Sequence, residues 1–310
     1  MKHIFIINPA AGDRNCTAEV MEKAKALGER HGLDVECILT KRPGHGMETA
    51  RAIAETGEEV RLYACGGDGT INEVANGIAG FSNAAMTCVP VGTGNDFLRN
   101  FQPEIVEKFK DVEALWDGPS FPLDMIQCNG RYCLTIACNG IDARIADSVH
   151  KYVGMGVRGR NSYLASVAVN FLFKPIGRRW TVYLDDEKLE GEFALVSMCN
   201  GRFYGGGSMP IPEARMDDGV VNTVIIRNVP KTTFARLFGT YSAGEYKKLP
   251  QDLIRVSTAK HVRIISRDQE IVTCLDGESI RSREVDMTLA DKRLNFFGPV
   301  GADPNGTCRG

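Results

Sequence analysis

Residues 60–78, VRLYACGGDGTINEVANGI, join an apolar run to a helical pattern through a glycine-rich loop. Val60 to Ala64 predicts a short buried strand, and Ile71 to Ile78 predicts a helix. The glycines let backbone N–H groups approach an anion, and the helix that starts near Thr70 adds its positive end. The stretch therefore predicts a strand–loop–helix unit with an anion site where the strand ends.

The same alternation of strands and helices extends over roughly the first 125 residues. It indicates βαβ units around a parallel sheet, because parallel strands are usually connected by a helix. The remaining predicted elements are strands at Ile4 to Ile7, Leu33 to Leu39 and Met86 to Val91, a helix that buries Val20, Ala24 and Leu27 and ends at Gly32, and a helix over residues 46 to 56.

From about Leu123 the pattern changes to hairpins and turns of mostly antiparallel β-structure. Asn129-Gly130 lies between two alternating runs and predicts a two-residue hairpin turn that pairs Cys128 with Arg131. We expect one helix in this half, with an apolar stripe that is more often core than lipid site. The stripe consists of Leu164, Val167, Ala168, Phe171 and Leu172.

The composition excludes several classes of protein. With 310 residues, of which 43% are hydrophobic and 25% charged, the chain is long enough for about two globular domains and is neither disordered nor fibrous. The formal charge of -2 provides no global field for nucleic acid, so we expect no nucleic-acid partner. No apolar run approaches the roughly 18 residues that span a bilayer, and Asn8 comes too early for a signal peptide, which favours a cytoplasmic location.

Ten cysteines in a chain without a signal peptide favour reduced thiols over disulfides. Cys128, Cys133 and Cys138 have the one suggestive spacing. We expect them to be small buried residues rather than metal ligands, with Cys133 and Cys138 on opposite faces of the β-structure.

Three glycine-rich loops fall where predicted strands end: Asn8 to Gly12, Gly66 to Glu73, and Val91 to Asp96. A tight turn explains one Gly-Gly pair, but three such loops at one sheet edge indicate phosphate binding. None of the three fits a Walker A or G-x-G-x-x-G pattern. Three carboxylates accompany the loops and would suit a hydrated Mg²⁺, although each alone is also explained as a helix cap or turn residue. They are Asp68, Asp96 and Asp124.

The motifs NPAAG, GGDGTINE, GTGND and LDGE resemble, in order and spacing, those of the bacterial diacylglycerol kinase and related lipid kinase family. NAD kinases and phosphofructokinases share GGDGT, so that motif alone indicates only phosphoryl transfer. GTGND, the Gly205–Gly207 stretch and LDGE favour a lipid kinase. The resemblance implies an α/β nucleotide domain of NAD kinase/phosphofructokinase-like fold, residues 1–123 plus 294–310. It also implies a β-rich sandwich domain, residues 124–293, with ATP and Mg²⁺ in the cleft between the two.

The resemblance also implies the catalytic roles. Glu278 of LDGE would take the proton from the lipid hydroxyl, which suits phosphoryl transfer because a nearby carboxylate suffices to orient and deprotonate an alcohol. Asp276 is the alternative base, although an Asp-Gly turn explains it structurally. Asp68, Asp96 and Asp124 would organise metal and water. The implied ATP contacts are Asn8, Pro9, Ala10, Ala11, Gly12, Thr40, Gly66, Gly67, Asp68, Gly69, Thr70, Ile71, Asn72 and Thr93.

A second, structural Mg²⁺ site is implied in the stretch 214–220. Its ligands would be the Asp218 carboxylate and the carbonyl groups of Arg215 and Val220, and the alternative is an Asp-Asp-Gly turn before a strand from Val220 to Ile226. The chain departs from the family pattern at Ala11, where Ser is usual, and at Arg14, which we expect to supply a charge that the family often has nearby.

A local excess of basic residues lies between residues 144 and 180, with Asp147 as its one acid. Since each basic residue near an anionic leaflet contributes roughly 1 kcal/mol, the stretch predicts peripheral membrane docking. The alternative is a solvated basic face from which Arg158 or Arg160 reaches ATP. The seven residues are Arg144, Lys151, Arg158, Arg160, Lys174, Arg178 and Arg179.

We therefore expect an ATP- and Mg²⁺-dependent lipid kinase that converts diacylglycerol to phosphatidic acid at a membrane surface. A sphingoid base, a prenol or NAD as the acceptor is the nearest alternative, and a non-catalytic nucleotide or lipid sensor is the alternative from another class. A homodimer is left open.

Overall fold

A computed structural model describes residues 1–12, 14–91, 95–154, 169 and 174–306 of the chain. The chain divides into two compact units. The first is formed by Met1–Met125 with Asp291–Gly310, and the second by Ile126–Ala290. Asp124 therefore belongs to the first unit, whereas the sequence-based boundary assigned it to the second. Its carboxylate is paired with Arg293 of the same unit.

The first unit is a six-stranded, mostly parallel sheet with helices. Its strands are β1 (Lys2–Ile7), β2 (Asp34–Leu39), β3 (Val60–Gly66), β4 (Ala84–Pro90), β5 (Ser120–Leu123) and β17 (Leu294–Phe297), in the spatial order β2-β1-β3-β4-β17-β5. Only the β17–β5 pair is antiparallel. Its helices are α1 (Thr17–His31), α2 (His45–Ala54), α3 (Asp68–Ile78) and the short α4 (Pro103–Val106), with 3-10 turns at Leu98–Asn100, Glu107–Lys110 and Val112–Ala114.

The periodicity of the sequence determines these elements. Val20, Ala24 and Leu27 form the buried stripe of α1, and Gly32 ends that helix in a left-handed conformation with φ 65°. Strand β1 buries consecutive residues, as expected for a parallel strand that is covered on both faces. The predicted strands and helices of this unit are all confirmed, which places the three glycine-rich loops after β1, β3 and β4.

The second unit is an antiparallel β-sandwich. Its strands are β6 (Ile126–Cys128), β7 (Arg131–Cys133), β8 (Ile136–Gly140), β9 (Arg178–Leu184), β10 (Glu187–Cys199), β11 (Asn222–Arg227), β12 (Ile254–Thr258), β13 (His261–Ile265), β14 (Ile271–Leu275), β15 (Glu278–Ser282) and β16 (Glu284–Leu289). It also contains α5 (Ile141–Gly154), α6 (Lys231–Ser242) and a 3-10 turn at Tyr246–Lys248.

The long strand β10 pairs with three other strands of this unit. Its first half pairs with β9, and its second half pairs with both β8 and β11 after a register shift between Phe193 and Leu195. Strands bend at such irregularities. The apolar side chains divide accordingly into two main clusters, one of which contains Cys128 and Cys133 and the other Cys138.

The predicted hairpin at Asn129-Gly130 is confirmed, with Cys128 paired to Arg131 and Ile126 to Cys133. Cys128, Cys133 and Cys138 are buried free thiols, and burial raises the pKa of Cys128 to about 12. Such thiols behave as small apolar residues, because a raised pKa suppresses the reactive thiolate.

The expectation of one helix in the second half is wrong. The structure describes two helices there, α5 and α6, neither of which was predicted. Helix α6, KTTFARLFGTYS, contains three threonines and a glycine, which have low helix propensity, so its formation depends on packing. The predicted stripe from Leu164 to Leu172 lies outside the described residues. Among the described helices, none is both long and apolar enough to cross a membrane.

Candidate functional site

The described parts of the three glycine-rich loops meet at the carboxyl edge of the first sheet. The side-chain amide of Asn8 donates to Oγ1 of Thr70 at 3.1 Å, which joins the loop after β1 to the first turn of α3. The N–H of Val91 donates to the carbonyl oxygen of Gly66 at 3.1 Å, which joins β4 to the loop after β3. At Gly12 an added Cβ would lie 2.2 Å from the Val91 carbonyl oxygen, so only glycine fits.

Asn8 shapes the first loop from within. Its carboxamide oxygen accepts the N–H of Ala10 at 3.0 Å, and its carbonyl oxygen accepts the N–H of Ala11 at 3.1 Å. Ala11 thus contributes to the turn through its backbone, which needs no hydroxyl. Arg14 is exposed and pairs with Glu19 at 2.8 Å. The positive charge that we expected Arg14 to supply near the first loop is therefore paired with that carboxylate.

The start of α3 has the geometry of a phosphate-binding helix end. Gly67 caps the helix with an extended backbone, and no side chain caps it. The carbonyl oxygen of Gly67 accepts the N–H groups of Thr70 and Ile71. At Gly66 a Cβ would lie 2.1 Å from Oγ1 of Thr70, so the close approach requires glycine. An 11-residue helix that begins in this way directs its positive end at the loops.

Glu73 holds the neighbouring helix to this site, a role that the sequence did not reveal. Its carboxylate accepts the N–H of Gly44 at 2.6 Å and that of Gly46 at 2.9 Å, at the start of α2. Thr40 lies beside the end of β1, because its N–H donates to the Ile7 carbonyl oxygen at 2.8 Å. Asn72 accepts hydrogen bonds from Asn76 one turn later in α3. Of the implied ATP contacts, Thr93 lies outside the described residues.

The three expected metal-organising carboxylates each have a protein partner. Asp68 accepts the N–H groups of Asp96 at 3.1 Å and Phe97 at 3.2 Å. Asp96 approaches the Arg99 guanidinium at 3.2 Å, and the buried Asp124 approaches Arg293 at 2.7 Å. In the part of the chain that the structure describes, no three His, Cys, Asp or Glu side chains are arranged to hold a metal. The described side chains therefore do not fit a metal centre made by the protein alone.

In the second unit, Glu278 and Asp276 differ sharply in environment. Glu278 is exposed and begins β15. Asp276 forms the preceding turn, and its carboxylate accepts hydrogen bonds from Leu134, Thr135 and Ile136. These bonds occupy Asp276 with a structural role, so the geometry favours Glu278 between the two candidate bases.

The stretch 214–220, which the resemblance implies as a second Mg²⁺ site, contains the Asp-Asp-Gly turn that was the alternative to that site. The Asp218 carboxylate accepts the N–H of Val220 at 3.0 Å, and Arg215 approaches Asp217 at 3.7 Å. The strand that follows begins at Asn222. Metal binding by Arg215, Asp218 and Val220 stays a prediction.

The prediction that Arg144 contributes to membrane docking is wrong. Its guanidinium is buried and donates to the carbonyl oxygens of Gly140, Pro175 and Ile176, at 3.2, 2.8 and 2.6 Å. Burial lowers its pKa to about 10. The sequence shows the charge of an arginine but not these partners. Arg158 and Arg160 lie outside the described residues.

A polar cluster within the second unit was not foreseen. The Tyr204 hydroxyl donates to the Asp142 carboxylate and lies 3.5 Å from the Tyr241 hydroxyl. Burial raises the pKa of Asp142 to about 6, although the Tyr204 hydrogen bond and the Arg144 charge oppose that shift. A carboxyl that titrates near neutral pH requires such desolvation.

Tyr241 also lines an apolar pocket of about 370 Å³, a volume that includes its part open to solvent. The pocket lies between α6 and the strands β11 and β12. The helical spacing of 234, 237, 238 and 241 is the signal that could have revealed it. The lining residues are Ile226, Val229, Phe234, Leu237, Phe238, Tyr241, Leu249, Leu253 and Ile254.

Comparison with known families assigns both halves of the chain. Residues 2–128 match the model described as the diacylglycerol kinase catalytic domain. Residues 135–297 match the model described as the YegS C-terminal NAD kinase beta sandwich-like domain. The chain therefore belongs to the diacylglycerol kinase-like lipid kinase family, as its four motifs indicated.

Relatives span nearly the whole chain. A diacylglycerol kinase from Staphylococcus carnosus is 27% identical over 276 residues, which cover 88% of this chain and 87% of the relative. A protein named probable lipid kinase YegS-like from Xanthomonas oryzae pv. oryzae is 26% identical over 305 residues, 95% of each chain. The solved structure of a diacylglycerol kinase from Bacillus anthracis str. Sterne has a TM-score of 0.66 at 20% identity and covers 96% of this chain and 97% of its own. The expected fold class is confirmed.

Proposed function

We propose that the protein is an ATP-dependent kinase that transfers the γ-phosphate to the hydroxyl of diacylglycerol and yields phosphatidic acid. The observation that carries the proposal is the junction of the Asn8–Gly12 loop with the Gly66–Gly67 turn at the start of α3. Backbone N–H groups at such a junction bind phosphate without a lysine. The names of the relatives, a diacylglycerol kinase and a probable lipid kinase, support a lipid acceptor.

The pocket beside α6 supports an apolar acceptor over NAD. All nine lining side chains are apolar or aromatic, and the Tyr241 hydroxyl is the one polar group among them. An acyl chain gains free energy when such a surface removes it from water, by about 0.8 kcal/mol per methylene. A dinucleotide has charged phosphates and ribose hydroxyls, which gain nothing from these walls.

Magnesium enters this proposal with the nucleotide. Mg²⁺ keeps several waters and is usually bound by one or two carboxylates plus substrate phosphates, so no protein cage is needed. Asp68 and Asp96 belong to the loops around the phosphate site, and we assign them to the hydrated ion of MgATP. The part that Asp124 plays beyond its pairing with Arg293 stays a prediction.

Glu278 is proposed as the general base for the acceptor hydroxyl. Phosphoryl transfer depends mainly on position and charge neutralisation, and the base has only to orient the hydroxyl and accept its proton. Its neighbour Asp276 cannot share this task without losing the hydrogen bonds that hold the turn.

We test the proposal by transfer of labelled γ-phosphate from MgATP to mixed micelles of diacylglycerol, a sphingoid base or a prenol, alongside soluble NAD. We expect label in phosphatidic acid. Glu278→Gln should lower turnover by a factor on the order of 100 or more while ATP affinity is unchanged. Glu270→Gln is the matched control, because Glu270 is an exposed glutamate just before β14, at the other end of the same hairpin.

Any other outcome would change a specific part of the proposal. Label in NAD or in another lipid would change the acceptor. No label in any product, with ATP still bound, would favour the nucleotide or lipid sensor. Equal activity of Glu278→Gln and Glu270→Gln would remove Glu278 from the mechanism.

Peripheral membrane docking is proposed on Arg179, which is exposed on β9. Flotation with liposomes should recover more protein when anionic lipid is present and salt is low. Equal recovery with and without anionic lipid would contradict docking by charge.

A further inference from the structure

The turn that precedes Glu278 determines where that residue lies. Asp276 has φ 48° and Gly277 has φ 101°, and Leu275 pairs with Glu278 across the turn. Two central residues at positive φ form the tight hairpin turn that Asp-Gly favours. Because Glu278 is the first strand residue after the turn, any tilt of the turn moves its carboxylate.

A segment far away in the sequence holds this turn. Oδ2 of Asp276 accepts the N–H of Leu134 at 2.6 Å. Oδ1 accepts the N–H of Thr135 at 2.9 Å, the Thr135 hydroxyl at 2.5 Å and the N–H of Ile136 at 3.2 Å. An aspartate in a turn ordinarily bonds to the backbone two residues on. Here it reaches a segment about 140 residues earlier.

Thr135 connects this contact to a third segment. It is buried, and its carbonyl oxygen accepts the N–H groups of Asn200 at 2.8 Å and Gly201 at 2.9 Å. The buried side-chain amide of Asn200 donates to the Leu134 carbonyl oxygen at 2.8 Å. The segment that holds Asp276 is therefore itself fixed, and the hydrogen bonds pass that rigidity to the turn.

We propose that Asp276 and Thr135 are positioning residues that fix the carboxylate of Glu278 for proton transfer from the acceptor hydroxyl. The inference rests on the proposed function, in which Glu278 is the base. A base must lie within roughly 3 Å of the proton donor, and a misplacement of about 1 Å costs roughly a hundredfold in rate. A hairpin tip joined only to its own strands has no such precision.

Thr135→Val tests the proposal because it removes the hydroxyl donor and keeps the shape. Loss of one hydrogen bond to a carboxylate should lower kcat roughly tenfold or more, with the KM and the affinity for MgATP unchanged. Thr135→Ser restores the donor and should recover kcat to within about twofold. Thr223→Val is the matched control, because Thr223 is equally buried in the same unit and donates its hydroxyl to the Ser257 carbonyl oxygen at 2.9 Å.

A double variant separates positioning from general loss of structure. In the Glu278→Gln background, Thr135→Val should have no further effect on the residual kcat, because the group that it positions is already absent. Both kcat values are expressed per folded molecule, measured by circular dichroism.

Two results would overturn the proposal. One is a kcat of Thr135→Val equal to that of Thr223→Val. The other is the same tenfold loss when Thr135→Val is added to Glu278→Gln. Full activity of Glu278→Gln alone would overturn the base assignment and the positioning role together. An active enzyme that depends on Glu278 but not on Thr135 would overturn the positioning role alone.

Discussion

Gly12 offers a direct test of the phosphate loop, because the structure leaves no space for a side chain there. Gly12 has φ +78°, and an added Cβ would lie 2.2 Å from the carbonyl oxygen of Val91. Since real Cβ contacts essentially never fall below 3.0 Å, the loop or the end of β4 must move by about 1 Å in Gly12→Ala.

Two costs follow from this substitution. The left-handed backbone costs an L-residue roughly 1–2 kcal/mol of folding free energy. The shift of about 1 Å moves the N–H groups that would hold a phosphate, and a misplacement of that size costs roughly a hundredfold in rate. We therefore expect moderately lower stability together with a large loss of phosphoryl transfer and of ATP affinity.

Gly57→Ala separates the two costs. Gly57 has φ +77°, nearly the same as Gly12, but no atom lies within 4 Å of its added Cβ. It lies between α2 and β3. The control should lose the same roughly 1–2 kcal/mol in urea unfolding and keep its ATP affinity in titration calorimetry.

The reasoning is refuted if Gly12→Ala binds ATP as tightly as Gly57→Ala does. That result would mean that the loop after β1 does not hold the phosphates. A Gly57→Ala protein that loses ATP affinity to the same extent would show that a general loss of stability explains both variants.

Two further predictions concern the pH dependence of the free energy of unfolding. Burial raises the pKa of Asp142 from 3.8 to about 6, so its contribution to stability is full below pH 3.8 and is lost as the pH rises towards 6. At pH 7.5 the free energy of unfolding of Asp142→Asn, measured with urea, should therefore be about 1–3 kcal/mol higher than that of the unmodified protein. The difference should vanish below pH 4, and no gain at pH 7.5 would contradict the raised pKa. His3 is buried against Tyr63, and burial lowers its pKa from 6.5 to about 4, so the native state loses up to about 3 kcal/mol of stability as the pH falls between those values. His3→Gln should remove that dependence in the same urea measurements, and an equal slope in both proteins would contradict it.

The elements of the fold that could be predicted depend on residues close together in the sequence. The stripe of α1 and the Asn129-Gly130 hairpin depend on neighbours within a few positions, so periodicity and turn chemistry identify them. Helices α5 and α6 were missed. The apolar positions of α6 have helical spacing, but its threonines and glycine have low helix propensity, and its stability depends on apolar contacts with β11 and β12.

The candidate site divides in the same way. The glycine-rich loops were predictable, because Gly12 and Gly66 are needed for local backbone approach at strand ends. The partners of charged groups were not. Arg144 has the same charge whether it lies on a membrane-facing surface or donates to carbonyl oxygens some 30 residues away.

The sequence by itself determined the α/β and β-rich halves, the three phosphate-type loops and the membership of a lipid kinase family. Only the tertiary structure shows the hydrogen bonds that engage Asp276 of the LDGE turn and the place where an apolar pocket forms. The physical reason is distance along the chain. The hydrogen bonds of Asp276 with Thr135 span 141 residues, and only packing brings such partners within reach.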